Sequence, residues 1–272
     1  MLKDIAVHLD GTERDATRLD HAAMLADWFE AELTVLFTNL IEIGYIAADP
    51  VGASVEIVAD AIDEARSAGD AAEARIRERI EALNRPCQLI RHDGTDGELR
   101  EHAARLARLT DLFLAGRPLG PEDNGWPSLF QSTLFSGGRS VYMVPPDRAP
   151  QPPRTILVGW RDGRETTRAL TEALPFLRKA DRVILASVGI GAEDAGAPEI
   201  VRHLERHGVA AQFRSLPTGG RVSETLLAEC AAEKVDLLVI GAFGHSRFWE
   251  WVLGGTTRNI LTVSAIPVLL AH

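Results

Sequence analysis

Asp236-Leu-Leu-Val-Ile-Gly241-Ala-Phe-Gly244-His-Ser-Arg247-Phe-Trp-Glu-Trp-Val-Leu-Gly254-Gly255-Thr256-Thr257 is the stretch on which the reading of this chain turns. Leu237 to Ile240 is a short apolar run that ends on glycine, the pattern of a buried parallel strand. Gly241 and Gly244 break that strand and let backbone approach a neighbour closely. Gly254 to Thr257 then precede an apolar helical pattern at Ile260 and Leu261. Free N–H groups at a helix start, with two hydroxyls beside them, suit a phosphate. A last apolar run, Pro267 to Leu270, completes a strand, glycine loop, helix and strand.

Outward from this stretch, the chain reads as two copies of one unit. Asp4-Ile-Ala-Val-His-Leu-Asp10-Gly11 and Thr155-Ile-Leu-Val-Gly-Trp160-Arg161-Asp162-Gly163 each give a β-like run, an Asp-Gly turn and a polar helix start. Helical patterns follow at 18–29 and 167–177, then strands at 33–37 and 182–188. Asp111 to Gly116 repeats Asp236 to Gly241, and each half ends on a strand, 140–144 and 267–270. A repeat of this length means duplicated domains rather than a solenoid. Five prolines between Pro145 and Pro153 make a stiff, extended linker. The expected division is residues 1–146, a linker at 147–153, and 154–272. Strands alternating with helices predict an α/β fold. It comprises two Rossmann-like units, each a five-stranded parallel sheet with helices on both faces, with the last strands free to pair antiparallel across the units. Ligands of such sheets sit at the carboxyl ends of the strands, where the strand order reverses.

Composition narrows the function. The chain has 272 residues, 46% hydrophobic and 25% charged, with a net charge of −10 and no long basic run. That predicts no nucleic-acid partner, since binding the phosphate backbone needs clustered Lys and Arg. No apolar stretch approaches the ~18 residues of a spanning helix, and the N-terminal run carries a charge that a signal peptide would not. Cys87 and Cys230 stand in no metal or redox spacing and read as packing residues. A cytoplasmic protein without membrane contact is expected. His203 and His207 share a helix face, but no third zinc ligand is apparent beside them. A surface pair is the simpler reading.

The spacing Gly241, two residues, Gly244, nine residues, Gly254 resembles the nucleotide-binding signature of the universal stress protein family, and the resemblance runs over almost the whole chain as a tandem pair. It implies an adenine nucleotide, ATP with Mg²⁺, in the second half. The site would comprise Gly241, Gly244, Gly254 and Gly255, the hydroxyls of Thr256 and Thr257, and His245 and Arg247 facing the phosphates. Val188 and Ile240 would stand at strand ends, with Trp160, Arg161 and Asp162 in the first-strand loop. Two departures stand out. Gly255 sits where the family has Ser or Thr, and Arg161 where it has an acid. Arg161 would either meet base or phosphate or lie on the surface, and Trp160 suits a core as well as a base platform.

The first half keeps Asp10 where the family's first-strand Asp contacts adenine or ribose, although Asp10-Gly11 also reads as a turn and cap. After Gly116 the signature fails: three residues, not two, separate it from Gly120, and Pro118, Pro121 and Pro127 shape a different loop. Ser136-Gly137-Gly138-Arg139 keeps a glycine turn. We read Asp10, Gly116, Gly137 and Gly138 as a degenerate site. The resemblance further implies a stress-response regulator or sensor, a homodimer, and no assigned catalytic residue. A slow ATPase or phosphotransfer enzyme, and a scaffold that binds no nucleotide, are the alternatives.

Overall fold

The structure is a computed structural model, and it describes residues 2–42, 55–119, 126–242 and 255–272. The elements of the first half are β1 (Asp4–Leu9), α1 (Asp15–Phe29), β2 (Glu32–Leu40), α2 (Val55–Ala82), β3 (Cys87–Gly94), α3 (Asp96–Leu109), β4 (Leu112–Gly116), α4 (Pro127–Ser136) and β5 (Val141–Val144). Those of the second are β6 (Thr155–Gly159), α5 (Arg164–Leu177), β7 (Arg182–Val188), α6 (Ala197–Arg206), β8 (Ala211–Leu216), α7 (Val222–Ala232), β9 (Leu237–Gly241), α8 (Gly255–Val263) and β10 (Val268–Ala271).

Ten strands form one sheet in the order β3-β2-β1-β4-β5-β10-β9-β6-β7-β8. Within each half every pairing is parallel. The halves meet at β5 and β10, which pair antiparallel with Val141 opposite Leu270. The strand runs read from the sequence are thus confirmed, including the cross-half pairing. β1, β4, β6 and β9 are apolar along nearly their whole length because helices cover both faces. One face packs α1, α2, α5 and α6 over Val7, Leu114, Val158 and Val239. The other packs α3, α4, α7 and α8 over Ala6, Phe113, Leu157 and Leu238.

The duplication extends to single hydrogen bonds. Asp111, just before β4, accepts from the backbone N–H of Lys3 at 2.7 Å and of Asp4 at 3.2 Å. Asp236, just before β9, accepts from Arg154 N–H at 3.0 Å and Thr155 N–H at 2.9 Å. Each aspartate ties the fourth strand of its half to the first. Between the halves, Phe29 and Phe176 meet edge to face at 4.9 Å, and Lys179 lies over Trp28 at 5.3 Å. Such aromatic pairs add about 0.5–1.5 kcal/mol beyond their buried area.

α2 runs unbroken from Val55 to Ala82. Gly69 does not end it. A Cβ there would come within 2.7 Å of Arg91 Nη2, so this glycine lets the helix lie close over β3. Arg91 then clamps the helix, donating to the carboxylates of Asp70 at 2.5 Å and Glu73 at 2.9 Å. The cap position of α7 is Arg221, and the buried Ser223 Oγ has no hydrogen-bond partner among the described residues.

Candidate functional site

The order β10-β9-β6-β7-β8 places β6 between β9 and β7. The chain leaves β6 toward one side of the sheet and leaves β9 toward the other, so the crevice of this half opens where those two strands end. Residues 159–163, 188–191 and 241–242 and the start of α8 lie at that edge.

Gly241 has a packing duty of its own. A Cβ there would stand 2.6 Å from the backbone of Glu165 and Thr166. Only glycine lets the start of α5 settle on the end of β9. Trp160 belongs to the core. It is 6% exposed, and its indole N–H donates to the Ala195 carbonyl at 2.8 Å. Its own carbonyl accepts from Ser187 Oγ at 2.6 Å. Arg161 and Asp162 are exposed beside it, and Val188 is half-buried at the end of β7. Ile240 is buried.

The helix start has the character expected for an anion. The first turn of α8, Gly255-Thr256-Thr257-Arg258, holds two hydroxyl side chains and an arginine, and no acid. A positive charge at this end works against the helix macrodipole, which favours anions there. Thr257 is buried and Thr256 half-buried, while a Cβ on Gly255 would meet no described residue within 4 Å. Gly244, His245, Arg247 and Gly254 lie outside the described residues. Those described thus bring Gly241, Arg161, Asp162, Val188, Gly255, Thr256 and Thr257 to one edge of the sheet.

The matching edge of the first half is filled from within. Arg18 Nη2 donates to Asp10 Oδ1 at 2.5 Å and Asp15 Oδ1 at 2.6 Å, with all three side chains nearly inaccessible. Trp126 Nε1 donates to the other Asp10 oxygen at 3.2 Å, and its ring meets His8 edge to face at 5.6 Å. His8 Nε2 in turn hydrogen-bonds Thr38 Oγ1 at 2.7 Å. The Arg18 stem crosses the end of β4, where a Cβ on Gly116 would meet Arg18 Cδ at 3.3 Å. Gly137 packs against Thr133 and Ala107, whereas Gly138, at φ +67°, faces open space. Burial would raise the Asp10 carboxyl, but the charge and hydrogen bonds of Arg18 outweigh it and hold that carboxyl well below the usual carboxylate range. Burial raises Asp15 to about 6 against the pull of Arg18. Burial also pushes His8 down to about 3, with the charge of Arg18 adding to the effect.

Among the described residues, the second half has no counterpart to this plug. Ile5 pairs with Leu112 and Ile156 with Leu237, each the first residue of the fourth strand. Counting on from that shared position, the buried residues Arg18, Leu19, Ala22 and Ala26 of α1 match Ala169, Leu170, Ala173 and Leu177 of α5. Arg18 is thereby replaced by Ala169, Asp15 by Thr166, Asp10 by Arg161 and His8 by Gly159. Arg168, adjacent in sequence, turns away to the Gly138 carbonyl at 2.8 Å and to Glu172 at 2.7 Å. The plug escaped the sequence reading. Its one signal was an arginine on the apolar stripe of α1, three residues after an acid.

Elsewhere, His203 and His207 lie 4.7 Å apart ring to ring, and no group of three or more metal-ligating side chains occurs among the described residues. Burial raises the Cys87 thiol and pushes Cys230 up to about 12, which leaves both uncharged. No helix among the described residues is long and apolar enough to cross a membrane.

Comparison with known proteins agrees with this architecture. The model of the universal stress protein family matches residues 153–272. Universal stress protein Slr1230 of Synechocystis sp. is 40% identical over 50 residues, a stretch covering 18% of this chain and 17% of that protein. The crystal structure of a universal stress protein from Archaeoglobus fulgidus superposes with a TM-score of 0.76 at 15% identity, covering 98% of this chain and 97% of that one. A putative universal stress protein from Pseudomonas aeruginosa gives 0.59 at 15% identity, over 99% and 93%. At such identities the two structures speak for the fold alone.

Proposed function

We propose that the chain is a member of the universal stress protein family, whose model matches residues 153–272, that this half binds an adenine nucleotide, ATP, and that the protein acts as a nucleotide-responsive regulator. The observation that carries the proposal is the first turn of α8: two hydroxyls, an arginine, no acid, and no described residue against Gly255. Phosphate would bind the free N–H groups of that turn with Thr256 and Thr257. Arg161, in the place of the buried Asp10, would add positive charge at the opposite lip. His245 and Arg247, expected over the phosphates, belong to the same reading.

The division into units 1–146 and 154–272 joined by 147–153 is part of this proposal, with the first half as a structural partner. Its acidic site is already satisfied by Arg18, so a nucleotide there would have to displace a buried ion pair. Mg²⁺ would enter as the ion that the phosphates carry. The two last strands already pair with each other; a homodimer would need another surface.

Calorimetric titration of Mg-ATP into the purified chain tests the reading. The expected result is close to one site per chain. Two sites would overturn the assignment of the first half, and no binding would overturn the function and leave a scaffold.

A further inference from the structure

Arg139 belongs to the first half, in the glycine turn that precedes β5. It is exposed and makes no hydrogen bond or ion pair with any described residue. Its backbone is nevertheless fixed. Arg168 of α5 holds the carbonyl of Gly138 at 2.8 Å, and the next residue, Ser140, is buried, with its carbonyl bound by Phe113 N–H.

The sheet register shows what Arg139 adjoins. Val141 lies opposite Leu270 in the antiparallel pair. Continuing that register sets Ser140 opposite Ala271 and Arg139 opposite His272. On the other side of β10, Ala271 pairs with Gly241, and His272 Nδ1 hydrogen-bonds the Ala242 carbonyl at 3.0 Å. Arg139, His272 and Ala242 therefore form one row across three strands. Two strand spacings put the Arg139 backbone roughly 10 Å from Ala242, where the chain enters the glycine loop. An extended arginine side chain is about 6 Å long at ordinary bond lengths and spans most of that gap. The contact of the Phe135 ring with His272, 4.7 Å between centroids, holds the two halves together at this point.

We propose that Arg139 is a binding residue of the second-half site, supplied by the first half. It pairs with the outer phosphates of the nucleotide, while the second half's own Arg161 stands at the other lip. The first half, closed to nucleotide by Arg18, keeps a role because its glycine turn delivers this cation across the β5–β10 seam. Guanidinium suits the task, since it always carries charge and can donate to phosphate through two parallel N–H groups. The proposal rests on nucleotide binding by the second half.

The test compares ATP and adenosine binding by the full chain for wild type, Arg139→Ala and Arg139→Lys, at low and at high salt. Arg139→Ala should weaken ATP binding about tenfold at low salt, leave adenosine binding unchanged, and reduce the salt dependence. Arg139→Lys should recover part of the loss. The melting temperature should not move, because no hydrogen bond or ion pair joins the side chain to a described residue. If wild type binds ATP and Arg139→Ala binds it equally well, this inference fails and the nucleotide reading stands. Equal losses for ATP and adenosine would also overturn it, since they mark a structural effect. If wild type binds neither ligand, both readings fall.

Discussion

Replacing Gly255 with aspartate separates a helix start that holds phosphate from one that is merely a helix start. A Cβ at Gly255 meets no described residue within 4 Å and the position is exposed, so the carboxylate displaces no described neighbour. For the fold, the change is favourable. Aspartate loses less backbone entropy than glycine, and an acid in a first turn that has none gains about 0.3–1 kcal/mol from the macrodipole. For a bound nucleotide, the change is harmful. A carboxylate about 5 Å from one phosphate charge, at an effective dielectric near 20, is repelled by about 3 kcal/mol. Solvent screening at this exposed position reduces that to roughly 1.5–3 kcal/mol, or about 10–100-fold in Kd. The assay is a pair of measurements on one preparation, urea unfolding and titration with Mg-ATP. Stability should hold or rise slightly while affinity falls. If the variant binds ATP as tightly as wild type, the phosphates do not sit at the start of α8. If it unfolds more easily, the account of that helix end is wrong.

Two further predictions concern the first half. Arg18→Ala leaves the buried carboxylates of Asp10 and Asp15 without their cation, which should cost about 3–5 kcal/mol in urea unfolding at pH 7; adding Asp15→Asn should restore part of it, and a loss below about 1 kcal/mol would show that the cluster is not tightly enclosed. His8 is held neutral, at about 3 against an ordinary 6.5, so the unfolded chain takes up a proton that the folded chain refuses as pH drops below 6.5, and stability falls by up to about 1.4 kcal/mol per pH unit. Asp15 acts in the opposite sense: its carboxyl is raised to about 6, so its contribution is full below its unfolded value and is lost as pH climbs through 6. His8→Gln should therefore gain on wild type by about 1–2 kcal/mol between pH 6.5 and 5, and parallel pH–stability curves for the two proteins would refute this.

The parts of this molecule that the sequence discloses are those governed by local pattern. Apolar runs such as Leu237–Ile240, punctuated by Gly241, announce buried parallel strands. The parallel between Asp4–Gly11 and Thr155–Gly163 announces the duplication. The hidden parts depend on what meets across elements. Gly69 looks like a loop until Arg91 and Asn39 of the adjoining strands are found against it. Gly241 reads equally well as ligand approach or helix packing, and its distance to Glu165 and Thr166 shows the packing. Arg18 is eight residues from Asp10 and far from Gly116 and Trp126, so no window along the chain reveals that they converge.

That convergence changes what the duplication means. A chain with two equal sites needs no residue to tell them apart. Here the divergence gathers at one edge of each half: His8, Asp10, Asp15 and Arg18 in one, Gly159, Arg161, Thr166 and Ala169 in the other. The first set neutralises its own charges and closes on itself. The second leaves Arg161 at the rim and an alanine where the plug would be. Random drift of a disused site would not favour a buried, nearly inaccessible Arg18 with two carboxylates, because an unmatched member costs several kcal/mol. Each residue of the plug is stable only with the others, so the first half has exchanged a crevice for a core. On the proposed reading, the exchange leaves the loops after β6 and β9 to carry the ligand and, if Arg139 acts as proposed, the turn that leads into β5.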